Sequence, residues 1–404
     1  MSLIFDFSWR RLATTLACVG AVLLCAAGFV GSAHAASTIF ATTGSGPIAI
    51  AIDPAGNVYT ANFNSNDVSK ITPAGVTSTL GTTGGGPNGI AIDKAGNIYT
   101  ANQDSNNVSK ITPGGVTTTL GTTGTAPDAI AIDRAGNVYT ANYGSNDVSK
   151  ITPSGVTTTF GATGTQPTGI AVDAAGNVYT ANRGSNNVTK ITARGGWTSL
   201  SAPTGAFPAG IVLDRAGNIY TANQGSANVT KITPSGRSRT LGAAESIPTE
   251  LAIDAAGNLY TTNQGSQTVS KITPTGLSTV VGFTGTNPTG IALDPAGDIY
   301  VGNYGSNNVT KITQAPARPS VSWSKKAKVV SASIKPVSGV TYRMTATKGS
   351  RTKSGACRSV ALGRKKIKRN RCTIRLTKGR WRVAITPRKG ALVGIANRRA
   401  FTIR

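Results

Sequence analysis

Beyond residue 35 the 404-residue chain has no histidine; its single one is His34. That removes the commonest general base and the commonest transition-metal ligand together. It also excludes Ser-His-Asp and Cys-His nucleophile arrangements. Carboxylates, amides, tyrosines and arginine are left to do any chemistry. Seven of the fourteen acids between residues 36 and 313 are Asp53, Asp93, Asp133, Asp173, Asp214, Asp254 and Asp294, one in each of seven similar segments. A residue present in every copy serves something every copy needs, whereas a catalytic site needs asymmetry. The seven aspartates are therefore read as turn and cap residues. The seven tyrosines from Tyr59 to Tyr300 are read as core, and the recurrent lysines from Lys70 to Lys311 as solvated outer residues, with an anion-binding ring as their alternative.

The informative positions are those at which the copies differ. One group precedes the Ile-Ala-Ile-Asp run: Ile48, Asn88, Asp128, Thr168, Ala209, Thr249 with Glu250, and Thr289. The other follows Tyr-Thr-Ala-Asn: Phe63, Gln103 with Asp104, Tyr143, Arg183, Gln224, Gln264 and Tyr304. Asn88, Gln103, Asp104, Asp128, Tyr143, Arg183, Gln224, Glu250, Gln264 and Tyr304 form the candidate ligand-binding set. No catalytic or metal-binding residue is assigned and no cofactor is required. Asp104, Asp128 and Glu250 are the oxygen ligands a Ca2+ ion would use if they converge. The alternative is drift in duplicated loops.

The elements that must position these residues follow from the repeat. The motif Ile130 to Asn142 recurs with Asn57, Asn97, Asn137, Asn177, Asn218, Asn258 and Asp298 at one position, in steps of 40, 40, 40, 41, 40 and 40 residues. A fixed period in this range signals a solenoid or a propeller. In the third copy, Ala129 to Asp133 reads as a strand buried on both sides. Asp133-Arg-Ala-Gly-Asn137 is a tight turn, Val138 to Asn142 a second strand, Val148 to Thr152 a third, and Val156 to Phe160 a polar edge strand. Four strands without helical periodicity predict a four-stranded antiparallel blade. The seventh copy ends at Thr313 without its fourth strand, while Ser37 to Gly44 matches Val156 to Gly164. The N-terminal strand is thus expected to complete the last blade and close a seven-bladed ring, leaving no open edge. Both variable groups then lie on one face.

The pattern Pro-x-Gly-Ile-Ala-Ile-Asp-x-Ala-Gly-Asn-Val-Tyr-x-Ala-Asn resembles the NHL-type repeat of secreted bacterial propellers, including the virginiamycin B lyase and gluconolactonase-like groups. The resemblance covers residues 37–313. It implies an all-β propeller but not one function, since that fold hosts lyases, lactonases and binding modules. The lyase chemistry that it implies depends on histidine, which the chain lacks beyond residue 35.

Residues 1–35 read as a signal peptide: Arg10 and Arg11, an apolar run, then Ala33-His-Ala35 as a small-x-small cleavage site. A secreted or cell-envelope location is expected, with an uncleaved anchor as the alternative. Residues 36–313 carry 14 Lys and Arg against 14 Asp and Glu, whereas residues 314–404 carry 25 Lys and Arg and no acid. This break marks a domain boundary. A linker over 314–320 and a basic β-sandwich of six or seven strands over 321–404, similar to immunoglobulin or fibronectin type III-like modules, are expected. Cys357 and Cys372 predict a disulfide that closes a loop and contributes about 3 kcal/mol through the unfolded chain. Between them Arg364, Lys365, Lys366, Lys368, Arg369 and Arg371 set six cations in eight residues on a constrained loop, suited to anionic wall polymers or membrane surfaces. No nucleic-acid recognition motif is present. The expectation is a monomeric, secreted, non-enzymatic binding protein whose propeller face takes a protein or small molecule. A divalent-metal-dependent lactonase, a lyase-like enzyme and a structural scaffold are the alternatives.

Overall fold

The computed structural model describes residues 36–200 and 203–314, and eight further strands between residues 321 and 403. The expected signal peptide, linker residues 315–320 and Arg364, Lys365 and Lys366 lie outside the described residues.

The repeat folds as its turns dictate. In the third copy, Asp133 Oδ1 accepts the backbone N–H groups of Ala135 and Asn137 at 2.9 Å. Its Oδ2 accepts Asn137 Nδ2 at 2.7 Å and the Tyr139 hydroxyl at 3.1 Å. Gly136 supplies the positive φ of 85° that closes the hairpin. Burial would raise the Asp133 carboxyl, but the hydrogen bonds from Asn137, Tyr139 and Ala135 outweigh it and hold the pKa below its ordinary value. The turn joins strand Pro127–Ile132 to strand Val138–Asn142, and Asp147–Ile151 and Thr157–Ala162 complete the sheet.

Seven such four-stranded antiparallel sheets occur among the described residues. We number them as blades 1 to 6, spanning 47–82, 87–122, 127–162, 167–200, 208–243 and 248–283. Blade 7 combines 288–313 with the N-terminal strand. Ala36–Thr42 pairs antiparallel with Asn308–Thr313, so the chain's first described strand is the outer strand of the last blade. The first strand of each blade packs against that of the next. In blade 7 that strand is Pro288–Leu293, which meets Pro47–Ile52 of blade 1 and closes the ring.

The hydrophobic core lies between blades. Tyr139, Ala141 and Val148 of blade 3 pack with Ile170, Val178 and Ile191 of blade 4, and six analogous clusters complete the ring. The expectation of a doubly buried first strand is corrected. Pro127–Ile132 is mostly half-buried, and Val138–Asn142 is the strand buried throughout. The first strand faces the hollow centre, so its outward side chains meet the cavity instead of another sheet. The lysines are also less free than expected. Lys150 sits 5.6 Å above the Tyr139 ring, and lysines of the other six blades repeat the stacking.

Blade 7 departs from the pattern. Asp298 replaces the turn asparagine and cannot donate to Asp294, so Lys311 approaches Asp298 at 3.3 Å and sits 5.0 Å above Tyr300. Gln314 N–H also donates to Asp298 at 3.2 Å.

Seven of the eight C-terminal strands follow one hydrogen-bonded path, and Asn397–Ile403 pairs off it with Gly379–Lys389. Arg351–Leu362 pairs through its first residues with Thr341–Lys348 and through the remainder with Ile367–Arg375. This twelve-residue strand turns from one partner to the other and joins what would be two layers. Lys368, Arg369 and Arg371 lie on Ile367–Arg375 and not on a loop. The alternation that buries Cys372 and Ile374 draws the preceding residues into the ladder. Cys357 is directly opposite Cys372 in the register.

Candidate functional site

The first strands of all seven blades surround a central cavity of about 520 Å³. Its wall repeats an apolar residue from each blade, among them Ile50, Ile90, Ile130 and Leu251. Onto this wall the first variable group places Asn88, Asp128 and Glu250 as its strongest polar side chains. The second group adds Tyr143, Arg183 and Gln224 from blades 3, 4 and 5.

Gln103, Asp104, Gln264 and Tyr304 are not among the lining residues. Asp104 lies against Gly85 and Gly86, and the Tyr304 hydroxyl donates to Asn64 Oδ1 at 3.1 Å across the blade 7–blade 1 seam. Asp104 and Tyr304 are thus engaged between neighbouring blades and not in the centre. The grouping of Asp104 with Asp128 and Glu250 around Ca2+ is therefore corrected: the three do not converge. Among the described residues no group of three His, Cys, Asp or Glu side chains is placed to hold a metal ion.

The remaining polar groups form an asymmetric constellation. Asn88 Nδ2 donates to Asp128 Oδ1 from the neighbouring blade. Arg183 Nε donates to Gln224 Oε1 at 3.4 Å, and its guanidinium stacks 5.2 Å from the Phe207 ring centre. Glu250 Oε1 accepts the N–H of Leu251 at 3.1 Å. Blade 6 also carries Thr262 where blades 1 to 5 have alanine. The Glu250 N–H donates to the Thr262 hydroxyl at 3.3 Å, and that hydroxyl donates to the Thr289 carbonyl at 2.7 Å. Thr262 thus ties the backbone of Glu250 to the next blade. The change leaves a mark: Asn263 Oδ1 is a buried acceptor without a partner, because Thr261 donates to the Thr262 carbonyl. In blades 1 to 5 that hydroxyl serves the asparagine, as Thr140 serves Asn142 at 2.9 Å.

Asp128 and Glu250 keep some surface open to the cavity but are otherwise enclosed by the channel wall. Burial pushes the Asp128 carboxyl up to about 7; the Glu250 charge adds to the rise and Arg183 opposes it. Burial likewise pushes Glu250 up to about 7, against the hydrogen bond from Leu251. Two carboxyl groups that titrate near neutrality in one hollow are suited to accept and deliver protons.

Sequence reasoning missed the apolar wall and two rim residues. The signal for the wall is the first residue of each Ile-Ala-Ile run, whose type alone reads as core. The rim residues are Phe207 and Ile247, just before the first strands of blades 5 and 6. Their signal is an apolar residue preceding proline where the other copies have Gly46, Gly86, Ala126, Gln166 and Asn287.

Comparison with known proteins places this geometry. The virginiamycin B lyase family matches residues 32–188. No curated protein matches the sequence. Virginiamycin B lyase from Staphylococcus aureus superposes with a TM-score of 0.61 at 19% identity, covering 69% of this chain and 98% of that one. A streptogramin B lyase gives 0.62 at 17% identity over 69% and 98%. A catalytically inactive histidine-to-alanine variant of the Staphylococcus aureus enzyme, with quinupristin, gives 0.62 at 18% identity over the same shares. At these identities the likeness concerns the fold. The chain is a β-propeller whose fold is similar to that of virginiamycin B lyase.

Proposed function

We propose that the protein is a propeller enzyme of the lyase type whose central cavity performs proton transfer through Asp128 and Glu250. The observation that carries this reading is the pair of carboxyls held near neutrality in one cavity, beside the fixed positive charge of Arg183. In an elimination, the ionised member takes a proton from carbon as the carbon–oxygen bond breaks and a double bond forms. The protonated member then delivers a proton to the departing oxygen. Arg183 is suited to the negative charge that gathers on that oxygen. Asn88 orients Asp128, and Thr262 positions Glu250.

Quinupristin and simple cyclic esters are the substrates to test, with products followed by mass spectrometry. Ring opening by elimination leaves the mass unchanged, whereas hydrolysis adds a water. Asp128→Asn and Glu250→Gln should each lower turnover by about 100-fold or more. The pH profile should be bell-shaped around neutrality. Absence of turnover by the wild-type protein across this panel would defeat the enzymatic reading.

A second reading, non-enzymatic ligand binding, is favoured by one observation. The related lyase variant with a histidine replaced by alanine is described as catalytically inactive, and here the sole histidine, His34, precedes the first strand of the propeller. Saturable binding of quinupristin without product would select it.

The basic C-terminal region is proposed to attach the secreted protein to anionic envelope polymers or membrane surfaces. The support is its 25 cations without a single acid. A Cys357–Cys372 disulfide, supported by their register, would staple the strand that carries Lys368, Arg369 and Arg371 to its neighbour. Replacing the six cations of that cluster by glutamine should weaken retention on anionic vesicles, and added salt should do the same. Retention unchanged by both treatments would exclude the tether.

A further inference from the structure

The same rim position precedes the first strand of every blade, and its backbone is left-handed in all seven. The φ values are 69° at Gly46, 62° at Gly86, 52° at Ala126, 54° at Gln166, 56° at Phe207, 55° at Ile247 and 49° at Asn287. Glycine and asparagine take this conformation readily, while a β-branched or bulky residue is strained there. Blades 5 and 6, which are neighbours, nevertheless carry phenylalanine and isoleucine. Nor are these side chains drawn into the core in compensation: Phe207 is 46% exposed and Ile247 42% exposed. The fold sets this conformation in every blade, but neither the fold nor burial explains a bulky residue there, and that choice points toward function.

Phe207 is connected to the cavity by contact and Ile247 by its place in the chain. The Phe207 carbonyl accepts the N–H of Gln224 at 2.9 Å, and the Arg183 guanidinium stacks on the Phe207 ring. Gln224 and Arg183 both line the cavity. Beneath the ring, Gly225 gives the room: a Cβ there would come within 2.6 Å of Phe207. Ile247 precedes Glu250 by three residues on the same strand entry.

We infer that Phe207 and Ile247 form an apolar subsite at the mouth, which holds the aromatic or branched aliphatic end of an amphipathic small molecule whose polar end enters the cavity toward Arg183 and Glu250. This inference rests on the central cavity being the ligand site and defines the substrate class that site accepts. An apolar rim above a polar floor selects for a molecule divided in the same way.

The experiment uses the full chain and the uncharged fluorescent probe N-phenyl-1-naphthylamine, whose neutrality keeps it from responding to the basic region. The variants are Phe207→Asn and Ile247→Asn, singly and together. Each single change should weaken probe binding about fivefold or more, from lost apolar contact. Neither should lower the melting temperature, because asparagine relieves the left-handed strain. A purely structural role predicts the opposite pattern, with falling stability and unchanged binding. Binding by the double variant equal to wild type, or no probe binding by the wild-type protein, would overturn the inference. Turnover of quinupristin and probe binding are read on the same wild-type protein: probe binding without turnover counts against the catalytic reading alone, and turnover without probe binding counts against the subsite alone.

Discussion

At the scale of single residues, the fourteen acids of the propeller divide by environment and not by type. Asp133 and its equivalents Asp53, Asp93, Asp173 and Asp214 are held below their ordinary pKa by donors that outweigh burial. Asp128 and Glu250 are pushed up to about 7. The two groups affect stability in opposite senses. The turn aspartates contribute stability above the ordinary carboxylate range and lose it as pH falls through their folded values. The cavity pair favours the folded state while protonated, and that contribution fades as pH rises from the ordinary carboxylate range through about 7. Asp128→Asn and Glu250→Gln should therefore raise the melting temperature at about pH 8 and change it little at about pH 4. Thermal scans at both values check this, and a lower melting temperature at the higher pH would contradict the buried-pair account.

At the scale of the blade, the Asp-x-Ala-Gly-Asn turn fixes two strands at once. One carboxylate serves two backbone N–H groups, an amide and a tyrosine hydroxyl. Asp133→Ala would leave these donors without their acceptor and should cost about 2 kcal/mol or more in denaturant unfolding. This turn was legible in the sequence because its chemistry is local: aspartate, glycine and asparagine have their roles within five residues. The strand order and the N-terminal closing strand were legible for a similar reason, since a repeat displays its missing member by comparison. The convergence of Asp128 with Glu250 and Arg183 was not legible to the same degree. Those residues are far apart in the chain, and the ladder register decides which of them faces inward. Asp104 shared the same variable pattern but lies against Gly85 and Gly86 outside the cavity lining. The left-handed strain at Phe207 and Ile247 was hidden because backbone conformation at a rim position cannot be read from residue type until the blades are superposed.

At the scale of the whole molecule, the seven blades are alike but the ring has a seam. Blade 7 is made from both ends of the repeat array, and there the Asp298–Lys311 pair replaces the asparagine used elsewhere. Asp298 is 1% exposed, and Lys311 is its ion-pair partner at 3.3 Å. Lys311→Ala should destabilise the protein by about 3 kcal/mol by removing the cation that faces this buried carboxylate. The equivalent Lys150→Ala in blade 3, where no buried acid awaits the lysine, should cost about 1 kcal/mol or less. Asp298→Asn should rescue much of the Lys311→Ala loss by restoring the donor found in blades 1 to 6, and a double-mutant cycle in urea measures it.

The seam also orders events during synthesis. Ala36–Thr42 leaves the ribosome before any blade exists, yet its hydrogen-bonding partner Asn308–Thr313 emerges only after all the others. Throughout that interval the nascent segment is a lone strand with Ala41 outside its core cluster, and the growing arc has an open end at each side. Blades 1 to 6 can assemble in turn as they are made, but the circle cannot shut until the final partner arrives. A chain stalled before residue 308 would therefore be left as an unfinished arc, with its earliest strand waiting for a mate.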